Sequence, residues 1–347
     1  MRRNYGSYSI NEIAEKLGLS RNTISKALNN KPGVSDRTRQ LVQQYIDEKT
    51  GVCDPGASPV PAAGPNTIMF SYRLENIEYI NGLLSGIEHC IRESGYLLVV
   101  NIVSADARRP YFPPSVYSGS ICGIISFNIY DEEYWNEVLS LDIPSVFLDS
   151  DYRLEKYAGR TDIISQENKR VIFDIIRRLH QAGRRDFAFF GYPYFCNSLY
   201  RRWQAFKAGL NEVGLMPNMD CSILNDFGKA SDEDCHELIL AELKSMSTLP
   251  DTFICASDRQ AIMLMRALRE LSIDVPGKVA VMGFDNVPET ARQLPPLSTV
   301  EANSKYQGVL AVRKLLERIH EPQKPHEYIE CETKLVLRES TGNIPRD

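Results

Sequence analysis

Residues 9–29 read SINEIAEKLGLSRNTISKALN. Two short helix patterns stand here with only GLS between them. Ser9 can cap the first, and Glu12, three positions on, completes a capping box. Ile10, Ile13, Ala14 and Leu17 follow at the spacing of one buried helix face. Gly18 ends that helix, because glycine takes the left-handed conformation cheaply. Ser20 caps the second helix, whose apolar positions are Ile24, Ala27 and Leu28. Arg21, Asn22, Ser25, Lys26 and Asn29 share the opposite face. NNKPG forms a turn, and Ser35 caps a third helix with Leu41, Val42, Tyr45 and Ile46 inward.

The free face of the second helix carries the chemistry that reads a duplex. Arg and Lys can donate to guanine O6 and N7, and Asn can bond bidentately to adenine. A helix entering the major groove by its amino end brings Arg21 and Asn22 nearest the base edges. Thr23, Asn29, Ser35 and Thr38 supply short donors for phosphate oxygens. Any solvated helix can show Arg, Asn, Ser and Lys, so the helix alone does not decide. Charge does. The 347-residue chain has a formal net charge of −5, yet residues 1–50 hold nine Lys/Arg against five Asp/Glu, leaving 31 against 40 for the rest. A basic head on an acidic body suggests that only the head meets a polyanion.

Outward from the head, residues 50–66 lose all periodicity and gather four prolines between positions 55 and 65, the mark of a semi-extended linker. From residue 67, near-continuous apolar runs alternate with amphipathic helices. IMFSY, YLLVVNIV, CGIISFN, IPSVFLD, DFAFFG, DTFICAS and KVAVMGFD read as strands. Ile80, Leu83, Leu84, Ile87 and Ile91 form one helix stripe. Such a pattern means parallel sheets covered on both faces, and a body this long divides into two sheets with a cleft. Ligands in these folds sit outside the carboxyl ends of strands.

The eight cysteines include no CxxC pair, which argues against zinc and against a disulfide framework. No apolar run of about 18 residues occurs, so the cytoplasm is the expected location. GxSxG, HExxH, GxGxxG and Walker loops are absent. DFG at 226–228 lacks the other kinase elements. SDEDCHE at 231–237 reads as an acidic helix start rather than a metal site. No catalytic residue, metal ligand or cofactor is expected.

Residues 9–49 resemble the DNA-binding head of the lac repressor (LacI) family of bacterial transcription regulators, without a gap. The body is similar to the same family at EN (167–168), QAGRRDFAFFG, YRRWQAF, SDRQAIMLMRALRELSIDVPGKVAVMGFDN, LPPLSTV and LVLREST. The resemblance implies an all-α helix-turn-helix head and an α/β body of two doubly wound parallel-sheet subdomains, like the periplasmic sugar-binding proteins. It implies a homodimer on roughly palindromic operator DNA, acting as a repressor or occasionally an activator, with a sugar or glycoside as the expected effector and a nucleobase the minority case. The expected division is a head at 1–49, a linker at 50–66 and a body at 67–347. Within the body, the first subdomain is expected at 67–165 and 295–325 and the second at 166–294 and 326–347.

The resemblance also names effector residues. Arg202 matches the family's cleft arginine, with Arg201 the alternative one position earlier. Asp285 matches a strand-end acid that accepts from hydroxyls. Ser257, Phe227 and Glu167 fall where the family has an asparagine, a stacking aromatic and an aspartate. Tyr72, Phe127 and Ser198 are expected near cleft-facing strand ends, while Asp258 is expected to cap its helix. The linker departs from the family. Its prolines and missing leucines predict no regular hinge helix, because each interior proline costs roughly 3 kcal/mol. Two rival readings are a sugar-transport receptor, opposed by the helical head, and an enzyme with a fused control head, opposed by the missing phosphate loop.

Overall fold

In the computed structural model the chain divides into two compact units, Met1–Gly64 and Pro65–Asp347. The structure describes residues 10–28, 33–35, 38, 42, 66–73, 77–103, 112–149, 151–153, 156–157, 159–226 and 231–344. Ser9, Leu41, Tyr45, Ile46, the side chains of Ile10, Glu12 and Leu28, and the linker apart from Asn66 lie outside the described residues.

In the head, α1 (Ile10–Leu17) and α2 (Arg21–Leu28) meet at Gly18, whose φ of 63° admits glycine without steric cost. The Ser20 hydroxyl accepts from the Thr23 amide at 3.1 Å, capping α2. Ile13, Ala14, Ile24 and Val42 form one small core. Val42 in that core docks the third segment, where Ser35 accepts from the Thr38 amide at 3.2 Å.

The second unit runs β1 (Thr67–Arg73), α3 (Ile77–Glu93), β2 (Leu97–Val103), α4 (Pro114–Tyr117), β3 (Ile121–Phe127), α5 (Glu132–Ser140), β4 (Ser145–Leu148) and β5 (Asp162–Gln166). It continues through α6 (Lys169–Gln181), β6 (Phe187–Phe190), α7 (Asn197–Glu212), α8 (Asp232–Ser245), β7 (Thr252–Cys255), α9 (Asp258–Glu270) and β8 (Ala280–Met282). It closes with β9 (Thr299–Glu301), α10 (Ser304–His320), β10 (Tyr328–Cys331) and β11 (Lys334–Val336). The first sheet has the order β10-β5-β4-β3-β1-β2 and is parallel throughout. The second is β6-β7-β8, also parallel.

Successive strand residues feed opposite faces. Ile68 and Phe70 join one core with Ile80, Leu83 and Ile87 of α3, while Met69 joins another with Trp135 and Phe147. Phe187 and Phe189 likewise part from Ala188 and Phe190. This is why the strands read as unbroken apolar runs. On the first sheet α3 and α10 cross with their backbones nearly touching. A Cβ at Gly86 would collide with the Lys305 carbonyl, and one at Gly308 with the Leu83 carbonyl.

Two expected boundaries move. β9 falls within the expected first subdomain, yet it is tied to the second sheet by bridges from Ser298 to Met282 and from Glu301 to Asp285. Leu297 and Val300 are fully buried there. β10 falls within the expected second subdomain, yet it pairs in parallel with β5 of the first sheet. The Glu327 amide donates to Asp162 at 2.9 Å and starts that pairing. The chain therefore passes between sheets near 302–303 and 332–333, not at 295 and 326. At residues 231–237 the acids do open a helix: Ser231 and Asp234 form a capping box at α8.

Candidate functional site

The head offers a surface. Arg21 and Asn22 are exposed at the amino end of α2, Lys26 is half-exposed, and Ile24 on the reverse side is fully buried. The Thr23 hydroxyl shares a hydrogen bond of 2.8 Å with Ser20, and Thr38 one of 2.8 Å with Ser35. Both hydroxyls stand at helix starts, where free amide groups also face outward. The Ser25 side chain and Asn29 lie outside the described residues.

The second unit holds a cavity of about 470 Å³ at the carboxyl ends of strands from both sheets. Five expected residues line it: Arg202, Asp285, Ser257, Phe127 and Ser198. Two others do not. Tyr72 is buried in β1 against Phe70, with ring centroids 5.1 Å apart, on the core face of the strand. Glu167 turns to the start of α6, where its carboxylate accepts from the Arg170 amide at 2.6 Å. Phe227 lies outside the described residues. Arg201 points away from the cavity: it donates to the Tyr328 hydroxyl at 2.6 Å and pairs with Glu330. Asp258 does not cap its helix: Ser257 does, its hydroxyl accepting from the Gln260 amide at 3.4 Å, while Asp258 is the first residue of α9 and turns inward. It accepts from the Thr299 hydroxyl at 2.5 Å and the Val287 amide at 3.0 Å. Burial outweighs these donors and pushes its carboxyl up to about 6.

Arg202 is almost wholly buried and is held on every side. Its Nε donates to Asn168 at 2.9 Å, one terminal nitrogen to the Ala256 carbonyl at 2.5 Å, and the other to Gln166 at 2.5 Å. Asp285 lies 3.8 Å away, and the guanidinium rests on the Phe284 ring, 3.4 Å from its centroid. From Gln166 the chain of bonds continues. Gln166 donates to the Tyr79 hydroxyl at 2.5 Å, Tyr79 donates to Gln307 at 3.0 Å, and Gln307 donates to the Ala302 carbonyl. Burial, and then the Asp285 carboxylate, hold the Tyr79 hydroxyl well above its ordinary pKa, so it remains a donor.

Other contacts tie the two sheets across the cavity. Asp149, at the end of β4, accepts from the Ser198 amide at the start of α7 at 3.2 Å. Ser165 and Ser198 share a bond of 3.3 Å, and Tyr130 meets Phe195 edge-on at 5.5 Å. Burial keeps the Cys196 thiol protonated and inert, with the nearby Asp149 carboxylate adding to that effect. Tyr79, Phe127, Tyr130, Phe190, Tyr192 and Phe195 give the cavity an aromatic wall, among which Asn128, Asp149, Gln166 and Asp285 place polar groups. Ring faces beside convergent acceptors and donors suit a ligand with an apolar face and a rim of hydroxyls. Sequence reasoning missed Tyr79, Asp149 and Gln166, which stand on no periodic pattern.

Residues 9–49 match the family described as bacterial regulatory proteins, lacI family, and residues 176–341 match the periplasmic binding protein-like domain. The chain is 25% identical over 342 residues to the HTH-type transcriptional repressor PurR of Histophilus somni, covering 97% of this chain and 99% of that one. It is 23% identical over 342 residues to the ribose operon repressor of Haemophilus influenzae, again covering 97% and 99%. Its fold is similar to the Lac repressor dimer bound to operator and the anti-inducer ONPF, with a TM-score of 0.69 and 19% identity over 97% of this chain and 100% of that one. It is also similar to the transcriptional regulator CelR in complex with cellobiose, with a TM-score of 0.67 and 20% identity over 96% and 99%.

Proposed function

Because the chain belongs to the lacI family of bacterial regulatory proteins and joins that family's helix-turn-helix head to a periplasmic-binding-protein-like domain, we propose that it is a ligand-responsive transcriptional repressor. The observation that carries this reading is the pairing, on one chain, of an outward Arg21–Asn22 face with an aromatic, hydroxyl-matching cavity. Arg21 and Asn22 read base edges, with Ser25, Lys26 and Asn29 beside them. Thr23, Ser35 and Thr38 hold phosphates. The effector is a sugar or glycoside held by Arg202, Asp285, Ser257, Phe127 and Ser198.

The regulator works as a homodimer on a roughly palindromic operator. Support comes from the edge strand β2, which exposes Val100 and Ile102 on one face and Leu97 at its start, apolar edge surface of the kind a second copy covers. Effector binding between the two sheets favours the arrangement in which Arg202, Gln166, Asp149 and Ser198 are joined. That shift changes how the dimer presents its heads, with a coupling of about 1–3 kcal/mol. The protein acts in the cytoplasm, without catalysis. Among the described residues no helix is long and apolar enough to cross a membrane.

The test is fluorescence anisotropy on genomic operator fragments across a salt series, with and without a carbohydrate panel. Phosphate neutralisation predicts a steep loss of affinity with salt, and the right sugar should release the fragment. Salt-independent binding, or no fragment preferred over random DNA, sinks the assignment.

A further inference from the structure

We propose that the cavity continues outward as a ring-stacking subsite for the distal units of an oligosaccharide, built by Tyr192, Tyr194, Tyr152 and Tyr200. This inference rests on the sugar reading above and asks how long that sugar is. Tyr192 lines the cavity, and its ring meets that of Tyr194 edge-on at 5.9 Å. Tyr194 in turn meets Tyr152 at 5.5 Å and Tyr200 at 6.1 Å, and those two rings lie 6.1 Å apart. The aromatic wall therefore does not stop where the enclosed space stops. Tyr194 is 49% exposed although three other rings surround it. All four members of the array are tyrosines, and each ring offers a π-face beside a hydroxyl that can donate or accept.

The array also has a fixed base. The Arg153 guanidinium lies 5.2 Å from the Tyr152 ring centroid and is itself bound to Asp151 at 2.9 Å. A ring face held in place, next to hydroxyls, matches the C–H face and hydroxyl rim of a pyranose. It does not match a lipid tail, which needs only apolar area. The rings come from both lips of the cleft: Tyr152 follows β4 of the first sheet, while Tyr192, Tyr194 and Tyr200 follow β6 of the second. A sugar chain lying on all of them bridges the lips and holds them together more firmly than a short sugar confined to the cavity.

The experiment measures binding of the full chain to matched series of gluco-, xylo-, manno- and galacto-oligosaccharides, from single units upward, by titration calorimetry. In the series that binds, trimers and longer chains should bind about tenfold more tightly than the dimer, the gain a well-placed aromatic contact supplies. Tyr194→Ala should erase that gain and leave the dimer's affinity unchanged, and Tyr194→Phe should keep most of it. Because Tyr194 is half-exposed, its removal does not endanger the fold. Affinity that stops rising at one or two units, or a Tyr194→Ala loss equal at every length, overturns the subsite while leaving the sugar reading intact. Binding of no carbohydrate of any length overturns the sugar reading, and the subsite falls with it.

Discussion

Replacing Arg202 by alanine is expected to cost about 3–5 kcal/mol of folding stability in addition to the effector response. The guanidinium is 3% exposed, and its three hydrogen bonds to Asn168, Ala256 and Gln166 are each charge-assisted. Bonds of that kind contribute roughly 1.5–3 kcal/mol each, but the cavity admits water, which would recover part of the loss at the abandoned carbonyls. What water replaces poorly is the cation beside Asp285 and the stack on Phe284. Against a total stability of about 5–15 kcal/mol, the variant should still fold. Urea unfolding followed by tryptophan fluorescence suits the measurement, because both tryptophans, Trp135 and Trp203, lie in the body and neither lies in the head. Asp285→Asn in the wild type and in the Arg202→Ala background completes a double-mutant cycle. The double variant should lose about 1–3 kcal/mol less than the two single losses together, because part of the single loss is a carboxylate deprived of its cation. A loss below about 1 kcal/mol, or strict additivity, would refute a buried guanidinium held as described. A folded Arg202→Ala protein that still answers its sugar would refute its ligand role.

Gly86→Ala should destabilise the body by about 1–3 kcal/mol or more, since the new Cβ meets the Lys305 backbone rather than a side chain that could move; a thermal midpoint equal to wild type contradicts the close crossing. The Asp258 carboxyl has its folded pKa raised to about 6, above the unfolded value of about 3.9. Its unfolded form therefore ionises first, and the stability it contributes is present below about pH 4 and lost as pH rises to about 6. Wild type should thus lose about 1–3 kcal/mol relative to Asp258→Asn between those pH values, and parallel stability curves would deny the burial effect. In DNA binding, Arg21→Ala and Asn22→Ala should narrow the gap between operator and random DNA by about 1–3 kcal/mol, whereas Thr38→Ala should weaken both alike. An equal loss on both DNAs from all three variants would contradict that division.

The head was legible because each of its parts follows a local rule: a cap at Ser20, a left-handed glycine at Gly18 and an apolar face through Ile13, Ala14 and Ile24. The sheets were legible where strands are apolar on both faces. β5 escaped notice because Asp162, Ser165 and Gln166 interrupt it, all three buried in polar pairings that only the tertiary structure supplies. The site shows the same limit at single-residue scale. Gln166 and Glu167 are neighbours, but strand alternation sends one into the cavity and the other to the start of α6. Arg201 and Arg202 differ by one step of about 100° around α7, enough to part a bond to Tyr328 from a seat on Phe284. Tyr79 and Asp149 belong to a helix start and a strand end that carry no motif, so only their proximity to Gln166 and Ser198 reveals them.

Tyr79 and Gln307 bond to each other from the opening turns of α3 and α10, and a few residues further on those helices press backbone against backbone at Gly86 and Gly308, with the short Ser304 side chain against Gly82. At Gly86 and Gly308 the nearest atoms are backbone, not a compliant side chain that could soak up a displacement. A push on the Tyr79 ring must then travel as a shift of the whole pair, like a rod gripped along its length. The first thing beyond its far end is β2, the edge strand with the uncovered Leu97, Val100 and Ile102.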